Sequence, residues 1–167
     1  MSLGLTNDEI QLKLRAAYQI AQMSDDKSTR NGALIVDRGW NVIHGFNHML
    51  PEWGHESWHH ERPFKYWVTE HAERCAILSA ARLGYKTDGL TLVCNWVACP
   101  DCARAIVLAR FSYVICHKQC QERTPDRWRE MIDTGMQIMK YGGVEVIEWD
   151  GIVGDVTNLN NRLVWKP

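Results

Sequence analysis

Four side chains in two short clusters have the types and spacing to hold a metal ion and use it. His71 and Glu73 lie in Glu70-His71-Ala72-Glu73-Arg74-Cys75-Ala76, and Cys99 and Cys102 lie in Cys99-Pro100-Asp101-Cys102. One imidazole and two thiolates make three zinc ligands, which leaves a fourth position for water, as hydrolytic chemistry requires. A carboxylate beside that water, here Glu73, can take its proton and return it to a leaving amine. If Cys99 and Cys102 open a helix, both sulfurs share one face, and the positive end of the helix favours thiolates. A Cys-x-x-Cys pair alone reads equally as a redox pair or half of a structural zinc site. A structural zinc takes four protein ligands, for which Cys75, Cys94, Cys116, His117 or Cys120 are candidates, and it would leave Glu73 without a role.

His-x-Glu followed by Cys-x-x-Cys is the signature of zinc deaminases that act on nucleobases. The chain adds Gly32-Ala33-Leu34-Ile35-Val36, Gly45-Phe46-Asn47, Ala76-Ile77 and Ala103-Arg104-Ala105-Ile106 to those motifs. On these residues, from about Leu12 to Trp149, it resembles the cytidine and deoxycytidylate deaminase superfamily, and its deoxycytidylate branch most closely. The resemblance implies Zn2+ as cofactor, with His71, Cys99 and Cys102 as ligands and Glu73 as the proton shuttle. It implies hydrolysis of a cytosine nucleotide, dCMP to dUMP with release of ammonia, by a homo-oligomer. It also implies that Asn47 contacts the sugar and that Ala33 and Ala72 line the pyrimidine pocket, largely through backbone groups. Two positions depart from the pattern. Ala98 stands where the family usually has proline, and Gly45-Phe46-Asn47-His48 replaces the Gly-Tyr-Asn-Gly of the regulated dCMP enzymes.

A nucleotide substrate needs a cation for its phosphate, and Arg30, Arg62, Lys65, Arg74 and Arg104 are candidates. Arg30 and Lys65 rank first, because one abuts the Gly32 strand and the other enters the segment before His71. His44, His48, His55, His59 and His60 could hold a second metal, although their spacing matches no standard ligand frame. Trp53, Trp58, Tyr66 and Trp67 read as a lid, an oligomer contact or plain core. Cys116-His117-Lys118-Gln119-Cys120 reads as a strand end and a turn.

The elements that must position these groups follow from periodicity. Thr6 and Glu9 form a capping-box pattern before a helix that runs to about Met23. Ala33–Val36 and Asn41–Phe46 read as a hairpin turned at Asp37-Arg38-Gly39. A long loop, 47–68, leads into a helix expected over Val68–Leu83. A strand at Thr91–Trp96, a helix at Cys99–Arg110 and a strand at Tyr113–Cys116 follow. A helix at Pro125–Tyr141, with Thr124 as cap, and a strand at Val144–Trp149 complete the pattern. The Gly- and Asn-rich tail, 150–167, reads as loosely structured. This order predicts an α/β fold, a three-layer α/β/α domain spanning 1–167, and the resemblance adds a central mixed five-stranded sheet.

Composition narrows the partners. A chain of 167 residues buries a real core as one domain. Its net charge of −1 provides no field for nucleic acid or an anionic membrane. No apolar run reaches membrane-spanning length, Met1–Glu9 is no secretory signal, and six cysteines without small-scaffold spacing fit reduced thiols in the cytoplasm. Beside dCMP deamination stand three other readings: deamination of another cytosine-bearing small molecule, nucleic-acid editing, and a catalytically silent zinc module. Glu73 argues against the last.

Overall fold

The computed structural model describes residues 3–50 and 56–167. Thr6 caps α1 (Asn7–Ala21): its hydroxyl accepts from the Glu9 N–H while the Glu9 carboxylate accepts from the Thr6 N–H at 2.8 Å. β1 (Gly32–Asp37) and β2 (Trp40–Phe46) form the expected antiparallel hairpin. Its two turn residues, Arg38 and Gly39, sit at φ 48° and 82°, the tight turn whose twist matches paired strands. The chain continues through β3 (His48–Met49), a 3-10 turn at Ser57–His60, α2 (Lys65–Val68), β4 (Thr69–Glu70) and α3 (Ala72–Arg82). Then come β5 (Thr91–Cys94), α4 (Pro100–Leu108), β6 (Tyr113–His117), α5 (Lys118–Glu122), α6 (Asp126–Tyr141) and β7 (Glu145–Trp149). A small hairpin of β8 (Asn158–Asn160) and β9 (Leu163–Trp165) ends the chain.

Five strands build the predicted mixed sheet in the order β2-β1-β5-β6-β7, with β1 antiparallel to both neighbours and β5, β6 and β7 parallel. Successive side chains of a strand point to opposite faces, and here both faces are covered. Ala33, Ile35, Leu92, Cys94, Val114 and Cys116 pack under α3, α4 and α6. Leu34, Val36, Val93 and Ile115 pack under α1 and the C-terminal segment. That makes the three layers, and it explains why β1 and β5 read as unbroken apolar runs rather than alternating ones. Among the described residues no helix is long and apolar enough to cross a membrane, and all six cysteines are free.

Several boundaries differ from expectation. The helix expected over Val68–Leu83 begins at Ala72, with His71 extended at its N-cap and Thr69–Glu70 paired to His48–Met49. Strand pairing, which no local periodicity announces, displaces the first helical turn. Pro125, not Thr124, occupies the cap position of α6. The Thr124 hydroxyl instead accepts from Trp96 Nε1 at 2.9 Å. The run after Cys116 is a short helix rather than a turn. Contrary to the loose tail expected from its Gly and Asn content, residues 150–167 are packed. Trp165 stacks on His117 at 5.9 Å and meets Tyr18 edge-on at 6.0 Å. His117 is fully buried. It accepts from the Tyr18 hydroxyl at Nδ1 (2.8 Å) and donates from Nε2 to Gly151 O (2.9 Å), the pattern of a neutral imidazole.

One close approach fixes where α3 begins. A Cβ on Gly45 would stand 2.4 Å from Ala72 O and 2.4 Å from Ala76 N, both backbone atoms. Gly45→Ala is therefore expected to push the first turn of α3 off the sheet and to cost about 2 kcal/mol. Calorimetry should show a fall in Tm on the order of 5 °C.

Candidate active site

The loop before α3 and the first turn of α4 bring the predicted ligands together. His71 Nδ1 lies 3.5 Å from Cys99 Sγ and 3.6 Å from Cys102 Sγ. A tetrahedral zinc with bonds of about 2.3 Å to sulfur and about 2.0 Å to nitrogen has an S–N edge of about 3.5 Å. Both sulfur–nitrogen distances match that edge, and among the described residues the three side chains are the one His/Cys/Asp/Glu group able to hold a metal. Among the described residues no histidine cluster forms the second metal site considered above: His44 is exposed and His59 packs between Trp58 and Phe64; His55 lies outside the described residues.

Neighbouring groups favour one thiolate of the pair. The hydrogen bond from the Cys102 thiol, then that to His71, draws the Cys99 thiol down to about 4 against the opposing effect of burial. Sharing with Cys99, then burial, pushes Cys102 up, so the two sulfurs behave as a thiol–thiolate pair. Burial would depress the His71 imidazolium, but the Cys99 hydrogen bond and the Glu73 carboxylate outweigh it and raise its pKa. Arg74 stands behind the pair, 3.9 Å from Cys102 Sγ, and is held by Glu70 at 2.7 Å. Glu70 also accepts the His71 N–H at 2.7 Å.

Glu73 sits in the first turn of α3, buried, with Oε2 3.7 Å from Cys102 Sγ. Burial raises its pKa above that of an ordinary carboxyl, which suits a group that must both take and return a proton.

A cavity opens over His71, Glu73 and Cys99. Asn47 lines it, as do Thr69, Asn31, Arg62, Tyr66 and two α6 residues, Arg127 and Trp128. Ala33 and Ala72 are buried in the core behind it, outside its lining. Of the two favoured phosphate candidates, Arg30 does not line the cavity. Lys65 does, but its ammonium is already occupied by both Asp26 oxygens at 2.9 and 3.0 Å and by Ser28 Oγ at 2.7 Å. Arg104 pairs with Asp101 on the surface, and Arg74 serves Glu70. Arg62, one of the five candidates, stays at the rim, its guanidinium 5.8 Å above the Tyr66 ring. Arg127 was missed. It stands more than fifty positions after Glu73 in an α6 that reads from sequence as an ordinary amphipathic helix, and only the fold carries it to this rim. Tyr66 meets Trp128 edge-on at 5.2 Å across the mouth. Trp67 is largely exposed and Trp53 lies outside the described residues.

The Lys65–Asp26 pair is buried at both ends. Burial alone would raise the Asp26 pKa, but hydrogen bonds from Lys65 and Ser28 hold the carboxyl below its usual value. Its contribution to stability is present above the unfolded carboxyl's pKa, about 3.9, and is lost as pH falls through the lower folded value. Lys65→Met strands the carboxylate in the interior and should cost about 3–5 kcal/mol in urea denaturation at pH 7. The deficit should narrow as pH is lowered, because Asp26 is then protonated in both proteins. A deficit independent of pH would place the effect in packing alone.

With this geometry established, known proteins show the same site class. Residues 7–118 match the family described as the cytidine and deoxycytidylate deaminase zinc-binding region. A deaminase of the luxG 3′ region of Aliivibrio fischeri, itself uncharacterized, is 33% identical over 133 residues, which cover 77% of this chain and 88% of that protein. The crystal structure of dCMP deaminase from the cyanophage S-TIM5, in complex with dCMP and dUMP, superposes with a TM-score of 0.69 at 25% identity. That match covers 87% of this chain and 99% of the phage enzyme. The Thermotoga maritima diaminohydroxyphosphoribosylaminopyrimidine deaminase/reductase shares the fold, with a TM-score of 0.60 at 22% identity over 85% of this chain and 36% of its own.

The chain belongs to the cytidine and deoxycytidylate deaminase family. It is a hydrolytic deaminase whose domain binds zinc, and His71, Cys99 and Cys102 are the residues able to hold that ion.

Proposed function

We propose that the protein deaminates a cytosine 5′-monophosphate, dCMP to dUMP with release of ammonia, as a cytoplasmic homo-oligomer. The observation that carries this reading is a single cavity with His71, Glu73 and Cys99 in its wall and two arginines, Arg62 and Arg127, also lining it. Among the described residues neither arginine is in an ion pair; Arg127 donates to the Asn161 amide at 3.0 Å. Guanidinium groups without carboxylate partners suit a phosphate. The dCMP and dUMP bound by the phage enzyme of the same fold favour a deoxynucleotide. Leu78, Leu83, Leu108 and Tyr141, all exposed on the α3–α4–α6 side, support contact with a second copy.

In this reading His71, Cys99 and Cys102 hold zinc, which supplies Lewis acidity toward the attacking water. Glu73 would accept the water's proton as its oxygen adds to C4 and pass it to N3; it would then take the proton of the new C4 hydroxyl and hand it to the exocyclic nitrogen, so that the C4–N bond breaks, the 4-carbonyl forms and ammonia departs. Water and the cytosine base together give the uracil base and ammonia. The burial of Glu73 keeps bulk solvent from competing for that proton.

The test is ammonia release from dCMP, CMP, 5-methyl-dCMP, deoxycytidine, cytosine and a single-stranded oligonucleotide. Deoxycytidylate should exceed deoxycytidine by about 100-fold in kcat/KM. Arg127→Ala should lose roughly tenfold on the nucleotide and little on the nucleoside, as for one charged hydrogen bond. Equal turnover of both would refute the phosphate assignment.

A further inference from the structure

Two side chains that line the cavity each carry a buried polar atom with no partner among the described residues: the Thr69 hydroxyl and the Asn31 side-chain oxygen. Buried polar groups are nearly always satisfied, and leaving one orphaned costs free energy. Apart from the two arginines, the polar side chains beside them are spoken for. Asn47 accepts the Asn31 N–H at 2.6 Å and donates to Thr29 O at 2.9 Å, so both ends of its carboxamide hold the 29–31 turn. Lys65, Asp26 and Ser28 satisfy one another. Beside Arg62 and Arg127, Thr69 and Asn31 are thus the polar groups of the wall left for a ligand.

The chemistry of a cytosine nucleotide decides which of its groups each residue meets. Its N–H donor, the exocyclic amine, must face Glu73, so the donor left for the Asn31 oxygen is a sugar hydroxyl. Thr69 lies two residues before His71 in extended backbone, which places both side chains on one face about 7 Å apart along the strand. N3 belongs to Glu73, so the pyrimidine acceptor left for the Thr69 hydroxyl is the 2-carbonyl.

We propose that Asn31 and Thr69 read the nucleotide, Asn31 accepting from the sugar 3′-hydroxyl and Thr69 donating to the base 2-carbonyl, while Asn47 is a positioning residue for Asn31. This rests on the nucleotide reading above.

Two measurements test it. The first compares kcat/KM for dCMP and its 2′,3′-dideoxy analogue on wild-type protein, Asn31→Ala and Asn31→Asp. Wild type should lose at least tenfold on the dideoxy nucleotide. Asn31→Ala should lose the same on dCMP with no further loss on the analogue, and Asn31→Asp, which keeps the acceptor, should retain the discrimination. The second is dUMP binding to Thr69→Val, which should weaken about tenfold while the Tm of the free protein is unchanged or higher, because a buried orphan is gone. Wild-type indifference to the 3′-hydroxyl, or additive losses, would overturn the Asn31 assignment. Unchanged dUMP affinity would overturn that of Thr69. If no cytosine nucleotide is turned over at all, the nucleotide reading falls and this inference with it. That outcome is distinct from brisk dCMP turnover that ignores the 3′-hydroxyl.

Discussion

Glu73→Gln lowers kcat by about a thousandfold and leaves the zinc content at that of the wild type: this is the largest effect expected from a single substitution. General acid–base transfer contributes roughly 10²- to 10⁴-fold. Here one carboxylate serves more than one transfer, so its loss is not shared with another group. Glutamine keeps the volume and hydrogen-bonding reach of the side chain, and Glu73 is not a member of the His71–Cys99–Cys102 ligand group. Turnover by rapid mixing and metal content by emission spectroscopy separate the two roles. Activity near wild type would remove Glu73 from the mechanism. Loss of zinc in step with activity would make it a ligand instead.

The second large effect concerns folding. The His71 loop precedes α3, whereas Cys99 and Cys102 open α4, so one ion ties two helix starts that are otherwise joined by the half-exposed Arg74–Asp101 pair at 3.9 Å. An ion that binds only the folded chain stabilises it by about 4 kcal/mol when its free concentration is a thousand times Kd. For a domain of this size that corresponds to a Tm shift on the order of 10 °C. Chelation of the wild-type protein, His71→Ala and Cys99→Ala should each lower Tm by that amount, and the three losses should not add. A chelated protein that melts with the native one would show that the metal serves chemistry alone. The hydrogen bond to Cys99 and burial favour a protonated Cys102, and a divalent cation held by both sulfurs would displace that proton.

The metal ligands and Glu73 could be read in the sequence because their chemistry is encoded by residue type and short spacing. The sheet was equally legible: β1, β5 and β6 are apolar runs closed by turn residues, and the helices between them keep a regular apolar face. What escaped was set by distance in the chain. Thr69 falls inside the helix expected over Val68–Leu83, and only pairing with Met49 makes it a strand. Lys65 looked like a free cation because its partner, Asp26, lies in a connector with no motif of its own. Arg127 and Asn31 carry no local signal at all; their roles follow from what the fold sets beside them. The tail was misjudged by composition. Two glycines and three asparagines punctuate it, but Val153 and Trp165 supply apolar surface that packs on the α1 side of the sheet.

That tail also reaches the substrate wall from behind. Leu159 O accepts from Arg30 N at 2.9 Å, Ser28 O accepts from Arg162 N at 2.7 Å, and Asn161 N donates to Thr29 Oγ1 at 3.1 Å. The 28–31 turn is thus bonded on one side to Asn47 and on the other to β8–β9. The family match ends at residue 118, so the zinc chemistry is contained in the shared part, while Arg127, Trp128 and the brace on this turn come from beyond it. The cavity wall is thus built from two stretches of chain, Asn31, Arg62 and Thr69 within the family match and Arg127 and Trp128 beyond it. Change in the later segment would therefore reshape one side of the cavity without touching the residues able to hold the metal.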